Sequence, residues 1–394
     1  MKREQVLLGK FALIMTFYYM GSAFTYSLLI PYLTSLGYDT VQQGWMFAFG
    51  AILTIIGQFL TGYLCDRYQT DKKVFVAVLL LWAVVNWLLY TASNSASILV
   101  VLWLGLLCSL FVVCNGVLDT WTIESDEYCL NNYGWIRAFG AIGFAVGTLF
   151  TSYCFDHWGY GSLGTAFFVF TIITLVIMVF IPDAIKVTTE SRIKLKDINE
   201  LLLNKNFILL TVIFLFLNIA MTADGYSTNY KIIELGKSIG LSEDITNWQV
   251  NFKWSFQAIC ELPLFFAGSW LVKKLGNVRV LLLASGALIV RFVLYAMAVE
   301  PMQLVWISAF QAVTFPLITI CSKVLIDDAS PVYLRASGQQ ISAGIYFGIS
   351  ALITPVICGV LGENFSHNFA LLTVAAICVV PVLLIAWYNK TQKS

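Results

Sequence analysis

Six ionisable side chains stand inside stretches otherwise built of apolar residues: Asp119, Arg137, Asp224, Glu261, Arg291 and Lys323. Setting one Arg, Lys or Asp at the centre of a membrane-spanning helix costs about 2.5 to 3.5 kcal/mol on insertion scales. Such residues persist where they pair or face water. Arg137 heads the run NNYGWIRAFGAIGFAVGTLF, residues 131–150, as its one cation, and Asp119 stands on the preceding apolar run. A planar guanidinium can hold a carboxylate and a second partner bidentately. The pair is therefore either a pin between two helices or a clamp that also grips the hydroxyls of a solute. Asp224, Glu261 and Arg291 offer a similar choice. They form a permanently ionised network, or one carboxylate among them carries a proton, since burial and a nearby arginine push a carboxylate's titration in opposite directions. Glu261 is the first candidate for that role and Asp224 the second. Lys323, Lys231 and Lys253 fall close to the ends of apolar runs, where a long stem lets the ammonium snorkel to water.

The elements that hold these charges follow from composition. The chain has 394 residues, 59% hydrophobic and 11% charged, with mean hydropathy +0.82. A soluble domain carries about 25% charged residues, so the class is an all-α polytopic membrane protein. A bilayer-crossing helix needs about 20 mostly apolar residues. Twelve stretches qualify, near 11–36, 43–65, 74–92, 98–122, 134–155, 164–182, 206–232, 247–271, 280–298, 302–326, 337–361 and 368–388. Lysines and arginines gather on alternate loops: Lys2, Arg3 and Lys10, then Arg67, Lys72 and Lys73, then Lys186 to Lys205, Lys273 to Arg279, Arg335, and Lys390 with Lys393. By the positive-inside rule both termini are cytoplasmic. The N-terminal run is too long for a signal peptide and lacks a small-residue cleavage site.

A polar stretch, 183–205, separates two sets of six spans, giving an N-terminal bundle at 1–182 and a C-terminal one at 206–394. Each set has a basic turn after its second span, GYLCDRYQTDKK from Gly62 and GSWLVKKLGNVR from Gly268. That repetition points to two pseudo-symmetric six-helix bundles around a site at mid-membrane depth.

With Gly62, Asp66, Arg67, Lys72 and Lys73 in place, the first turn resembles the loop motif of the major facilitator superfamily; the second copy has Val272 where the aspartate would fall. The resemblance implies a loop that braces helices and biases conformational exchange without touching substrate. NYGWIRAFGAIGF resembles the fifth-span signature of the oligosaccharide/proton symporter branch, to which lactose permease-like transporters belong and which includes permeases for nucleosides and aromatic acids. AFTYSLLIPYL, with Tyr26 and Pro31, and GWMFAFGAILTIIGQFLTGYLCD, with Gln58, resemble its first two spans. On this resemblance Asp119 and Arg137 bind substrate, and Phe144 takes the place of an aromatic that stacks on a sugar ring, where the branch's sugar binders carry tryptophan. Asp224 and Asn229 match residues of span seven, and Arg291 an arginine tied to proton coupling. The C-terminal half departs from the branch at Gln311 and Thr314, which stand where lactose permease-like members have a histidine and a glutamate. Neither titrates near neutral pH, which returns the proton role to Glu261 or Asp224.

The expected function is secondary active uptake of a sugar, oligosaccharide or similar small polar solute with protons, by alternating access. An efflux antiporter for drugs or metabolites and an uncoupled facilitator of a nucleoside or aromatic acid are the alternatives; a membrane sensor leaves the intramembrane charges unexplained. Tyr26, Tyr226, Asn115 and Gln311 are further lining candidates and suit sugars, nucleosides and aromatic acids alike. No nucleotide loop, metal cluster or nucleophile–histidine arrangement points to an enzyme or a cofactor. The two histidines, His157 and His367, fall between spans, and the nine cysteines are scattered singly, without metal or disulfide spacing. A net charge of +1 argues against a nucleic-acid partner. The expected partners are the solute, protons and the bilayer, with the chain acting as a monomer in the cell membrane.

Overall fold

The structure, a computed structural model, describes residues 3–92, 97–184, 200–331 and 335–391. Each of the twelve apolar stretches is helical. α1 (Arg3–Tyr26) and α2 (Leu29–Ser35) share the first crossing and are separated at Ser27–Leu28, shortly before Pro31, whose ring has no N–H to give a helix. α3 (Thr40–Tyr68) opens on a capping box in which Asp39 accepts the Gln42 N–H at 2.7 Å and Gln42 accepts the Asp39 N–H at 3.1 Å. α4 (Asp71–Tyr90), α5 (Ile98–Ser125), the short α6 (Glu127–Asn131), α7 (Tyr133–Trp158) and α8 (Gly161–Val179) follow. After the polar stretch come α9 (Lys205–Ser238), α10 (Glu243–Leu275), α11 (Asn277–Met297), α12 (Pro301–Ile307), α13 (Gln311–Ala329), α14 (Arg335–Asn364), α15 (His367–Ile377) and α16 (Val379–Thr391). α10, α13 and α14 each remain helical through an internal proline, Pro263, Pro316 and Pro355.

Among the described residues 11 segments are long and apolar enough to cross a bilayer. α10, whose 33 residues include Glu243, Asp244, Lys253, Glu261, Lys273 and Lys274, runs over side chains that lie outside the described residues, so that number does not bear on it. Outward faces are greasy, as at Val169, Ile172, Val176 and Val179 on α8. A soluble monomer rarely leaves so continuous an apolar strip exposed; lipid accepts it.

The chain divides into two compact units, one made of Met1–Val187 and Gly236–Ile259, the other of Thr188–Leu235 and Cys260–Ser394. In the first, α7 runs against α1, α8 packs on α1 and α4, and α5 packs on α3 and α4. Its core is aromatic: Trp82, Trp121, Phe11, Phe24 and Phe75 are all buried. Glycines decide how close α7 comes to α1. A Cβ at Gly143 would overlap the Thr16 carbonyl, and one at Gly147 the Met20 carbonyl, so the small-residue stripe brings backbone onto backbone. In the second unit α11 is central, packing on α13, α15 and α16, with α14 against α13 and α15.

The start of the polar stretch is tied down inside the first unit. Asp183 accepts the backbone N–H groups of Asp71 at 3.2 Å and Lys72 at 3.0 Å, together with the Thr70 hydroxyl. It thereby satisfies the open N–H groups at the start of α4, where a carboxylate also meets the positive end of the helix dipole. Lys72 Nζ donates to the Ile181 carbonyl at 2.6 Å, Lys10 Nζ to Phe180 at 2.8 Å and the Trp121 indole to Pro182 at 3.1 Å. Of the loop-motif residues, Gly62 is open to added bulk, and the side chains of Asp66 and Arg67 lie outside the described residues. Most of the expected central loop, 185–199, also lies outside them.

Two lysines depart from the snorkelling expectation. Lys231 and Lys253 are 1% and 0% exposed. Lys231 Nζ instead donates to the carbonyls of Tyr295 at 2.7 Å and Ala296 at 2.9 Å. These lie at the C-terminal end of α11, where carbonyls lack intrahelical partners and a cation is favoured. Lys253 lies with its ammonium 4.8 Å from the Trp254 ring. Lys323 is exposed, in keeping with its position near a span end.

Candidate functional site

In the first unit the intramembrane charges gather around tyrosines. Arg137 lies on α7, one turn in from its start, with its guanidinium carbon 4.2 Å from the centre of the Tyr19 ring on α1. A guanidinium over an aromatic face is attracted by the ring's negative quadrupole. Gly140, about one turn further along α7, leaves room for this: a Cβ there would crowd both Tyr19 and the Arg137 guanidinium. Asp119 is on α5 and takes a hydrogen bond from the Tyr133 phenol at the start of α7. Asp119 and Arg137 both lie within electrostatic reach of Tyr19 and Tyr133. The two expected partners are therefore gathered near the same two phenols, one from α1 and one from α7.

One turn of α5 before Asp119, Asn115 accepts the Tyr18 hydroxyl at 2.8 Å. Further along, Tyr26 stacks on Phe111 with ring centres 4.8 Å apart and hydrogen-bonds Cys108. Phe144 is partly buried and stands edge-on to Trp254 of α10, centres 6.5 Å apart at 87°. α10 is held to α7 and its neighbour by a polar edge repeating every four residues. Ser255 donates to the Ala145 carbonyl at 2.6 Å, Asn251 to the Ser152 hydroxyl at 2.7 Å and Asn247 to the Tyr160 hydroxyl at 3.2 Å, while Glu243 accepts from Tyr160 at 2.8 Å.

The second unit holds the other charges. Arg291 on α11 is fully buried and pairs with Asp224 of α9 at 3.0 Å; the Asp224 side chain is 5% exposed. The remaining N–H groups of the guanidinium are taken up in turn. Nε and Nη2 donate to the Tyr295 hydroxyl at 3.1 and 3.0 Å, and Nη1 donates to Gln311 Oε1 and to Thr314 Oγ1, the latter at 3.4 Å. Gln311 and Thr314, which stand where lactose permease-like members carry titratable groups, serve here as neutral acceptors for a buried cation. Glu261 on α10 is partly buried and within electrostatic reach of Arg291, so one cation faces two carboxylates. Asn229 is buried one turn beyond Tyr226 on α9. The expected residues are thus divided between the units, Tyr26, Asn115, Asp119, Arg137 and Phe144 in the first, Asp224, Asn229, Glu261, Arg291 and Gln311 in the second. Tyr18, Tyr19, Tyr133, Trp254 and Tyr295 join them without having stood out in the sequence. Of these, Tyr133 sits inside the quoted fifth-span signature and was within reach.

The MFS_1 like family model matches residues 8–373. Among curated proteins, a maltose permease of Geobacillus stearothermophilus is 23% identical over 352 residues, 89% of this chain and 86% of that protein. The uncharacterized transporter YwbF of Bacillus subtilis (strain 168) is 24% identical over 84% of this chain and 80% of its own length. Among solved structures, the nucleoside transporter NupG aligns with TM-score 0.81 at 17% identity, covering 98% of this chain and 99% of that one. A bacterial homolog of the human lysosomal transporter Spinster, inward-facing and unoccupied, aligns with TM-score 0.72 at 12% identity over 99% and 98% of the two chains. At these identities the structural matches speak for the fold.

Proposed function

We propose, for a chain that belongs to the MFS_1 like family and so to the membrane transporters of the major facilitator superfamily, that it imports a sugar, oligosaccharide or similar hydroxylated solute together with protons. The observation that carries this reading is the Asp119–Arg137 cluster, where opposite charges lie within reach of the same two tyrosines. A carboxylate offers acceptors and a guanidinium offers a fork of donors. A polyhydroxylated ring can use both while an aromatic such as Phe144 covers its C–H face. Kinship with a maltose permease supports the solute class. In this reading the bundles 1–182 and 206–394 rock about the solute, both termini are cytoplasmic, and the protein acts as a monomer. The loop motif from Gly62 to Lys73 biases the exchange.

Glu261 is the proposed proton carrier. Asp224 is committed to Arg291 at 3.0 Å, so Glu261, a second carboxylate within electrostatic reach of that cation, can lose its charge without leaving a buried arginine alone. A second reading, an uncoupled nucleoside facilitator, draws on the neutral acceptors Gln311 and Thr314 around Arg291. Purified protein in liposomes, supplied with labelled maltose or uridine and an imposed proton gradient, separates the two. Symport predicts accumulation that a protonophore abolishes, and a Glu261→Gln variant that still exchanges solute but does not concentrate it. Uptake indifferent to the protonophore removes proton coupling; full accumulation by Glu261→Gln moves the carrier role to Asp224.

A further inference from the structure

We propose that Trp254 is a solute-binding residue, forming with Phe144 an aromatic corner for a cyclic, oxygen-bearing solute; this rests on the reading of the Asp119–Arg137 cluster as a solute site. The two rings meet at 87° with centres 6.5 Å apart, so one face of each can meet a single ligand ring. Phe144 lies on α7 two turns beyond Arg137, which puts the corner on the helix that carries the charged cluster. The placement of Trp254 is fixed by hydrogen bonds on either side of it, Asn251 to Ser152 at 2.7 Å and Ser255 to the Ala145 carbonyl at 2.6 Å. Those bonds set the register of α10 against α7 and leave the indole partly exposed.

The indole N–H supplies the second, independent observation. It is closed off from solvent and has no hydrogen-bond partner among the described residues. A buried indole N–H ordinarily finds an acceptor, and neither those residues nor bulk water provides one here. A hydroxyl or carbonyl oxygen of the solute, arriving as the corner opens around it, completes the set. The arrangement also accounts for Phe144 standing where related sugar binders carry tryptophan: the indole is supplied from α10 instead of α7. The Lys253 ammonium lies 4.8 Å from the centre of the same ring.

The test uses the full-length protein in detergent with labelled uridine and labelled maltose as probes, in wild type, Trp254→Phe and Trp254→Leu. Phe keeps an aromatic face but loses the N–H and the second fused ring, so the probe that wild type binds should weaken by about 5-fold or more, one hydrogen bond alone being worth about that much. Leu removes the face as well, and the loss should reach about 30-fold. Unchanged affinity in both variants, with wild-type melting temperatures, would assign Trp254 to packing and overturn the proposal. A Trp254→Cys variant reports independently of any solute. Modification by a water-soluble methanethiosulfonate above the background of the native cysteines supports a water-reached position, and slowing of that modification by a bound probe supports contact. If wild type binds neither probe, the solute class proposed above fails, and the labelling alone decides: an inert thiol in the Trp254→Cys variant overturns the role of Trp254, a reactive one upholds it.

Discussion

Removing one partner of the Asp224–Arg291 pair should cost far more stability than removing both. Asp224→Asn leaves Arg291 fully buried, still bonded to Tyr295, Gln311 and Thr314 but with its direct counter-ion gone. Stranding one charge of a buried pair costs about 3–5 kcal/mol. Arg291→Met falls at the upper end of that range, because it abandons the carboxylate and also strips the donors from Gln311 and Thr314. Asp224→Leu with Arg291→Met removes both charges and fills the space with apolar atoms, a change that is often neutral. At about 2 °C per kcal/mol for a large chain, each single variant should melt about 6–10 °C below wild type. The double variant should return to within about 3 °C, a coupling of about 3 kcal/mol or more. The assay is thermal unfolding of detergent-purified protein followed by intrinsic fluorescence. Single variants that melt within about 2 °C of wild type, or a double variant whose loss is the sum of the singles, would refute the view that this pair is dry and mutually dependent.

Asp183→Ala should lower the melting temperature by about 2–4 °C, since it strips the acceptor from the first turn of α4, a loss worth about 1–2 kcal/mol; no change would show that the Thr70 hydroxyl caps α4 by itself. Gly143→Ala should destabilise by about 1–3 kcal/mol, because its methyl group meets the Thr16 carbonyl, while Gly116→Ala, with nothing within 4 Å, should be neutral or stabilising. Equal effects on the melt would contradict the close approach of α7 to α1. Lys231→Met should cost about 1.5–3 kcal/mol through the lost charge-assisted bonds to the end of α11, measured in the same melt; a neutral result would mean the ammonium was hydrated after all.

The apolar runs gave away the helices, because burial in lipid leaves little room for any other backbone. Their ends were harder. α9 continues to Ser238 and α10 begins at Glu243, so the polar edge at Glu243, Asn247, Asn251 and Ser255 fell partly outside the span expected from hydropathy. Arg291 and its carboxylates were legible as a group because charges of opposite sign in lipid have few other options. Lys231 and Lys253 were misjudged for a related reason. Distance to a span end says how far an ammonium must reach, but the face of the helix decides whether water or a neighbouring helix end lies there. Tyr18, Tyr19 and Trp254 at helical spacing look like ordinary packing; only their partners, Asn115, Arg137 and an unmet N–H, separate them from it.

In the function proposed above, Asp119 and Arg137 together hold a polar solute. Equilibrium binding of labelled maltose and uridine to purified wild type, Asp119→Asn and Arg137→Lys tests it most directly. Wild type should bind one probe saturably, with affinity weakened about 30-fold or more by Asp119→Asn and not rescued by lysine, whose point charge lacks the guanidinium's fork. Wild-type affinity in Asp119→Asn would contradict it and leave the pair as a pin between helices.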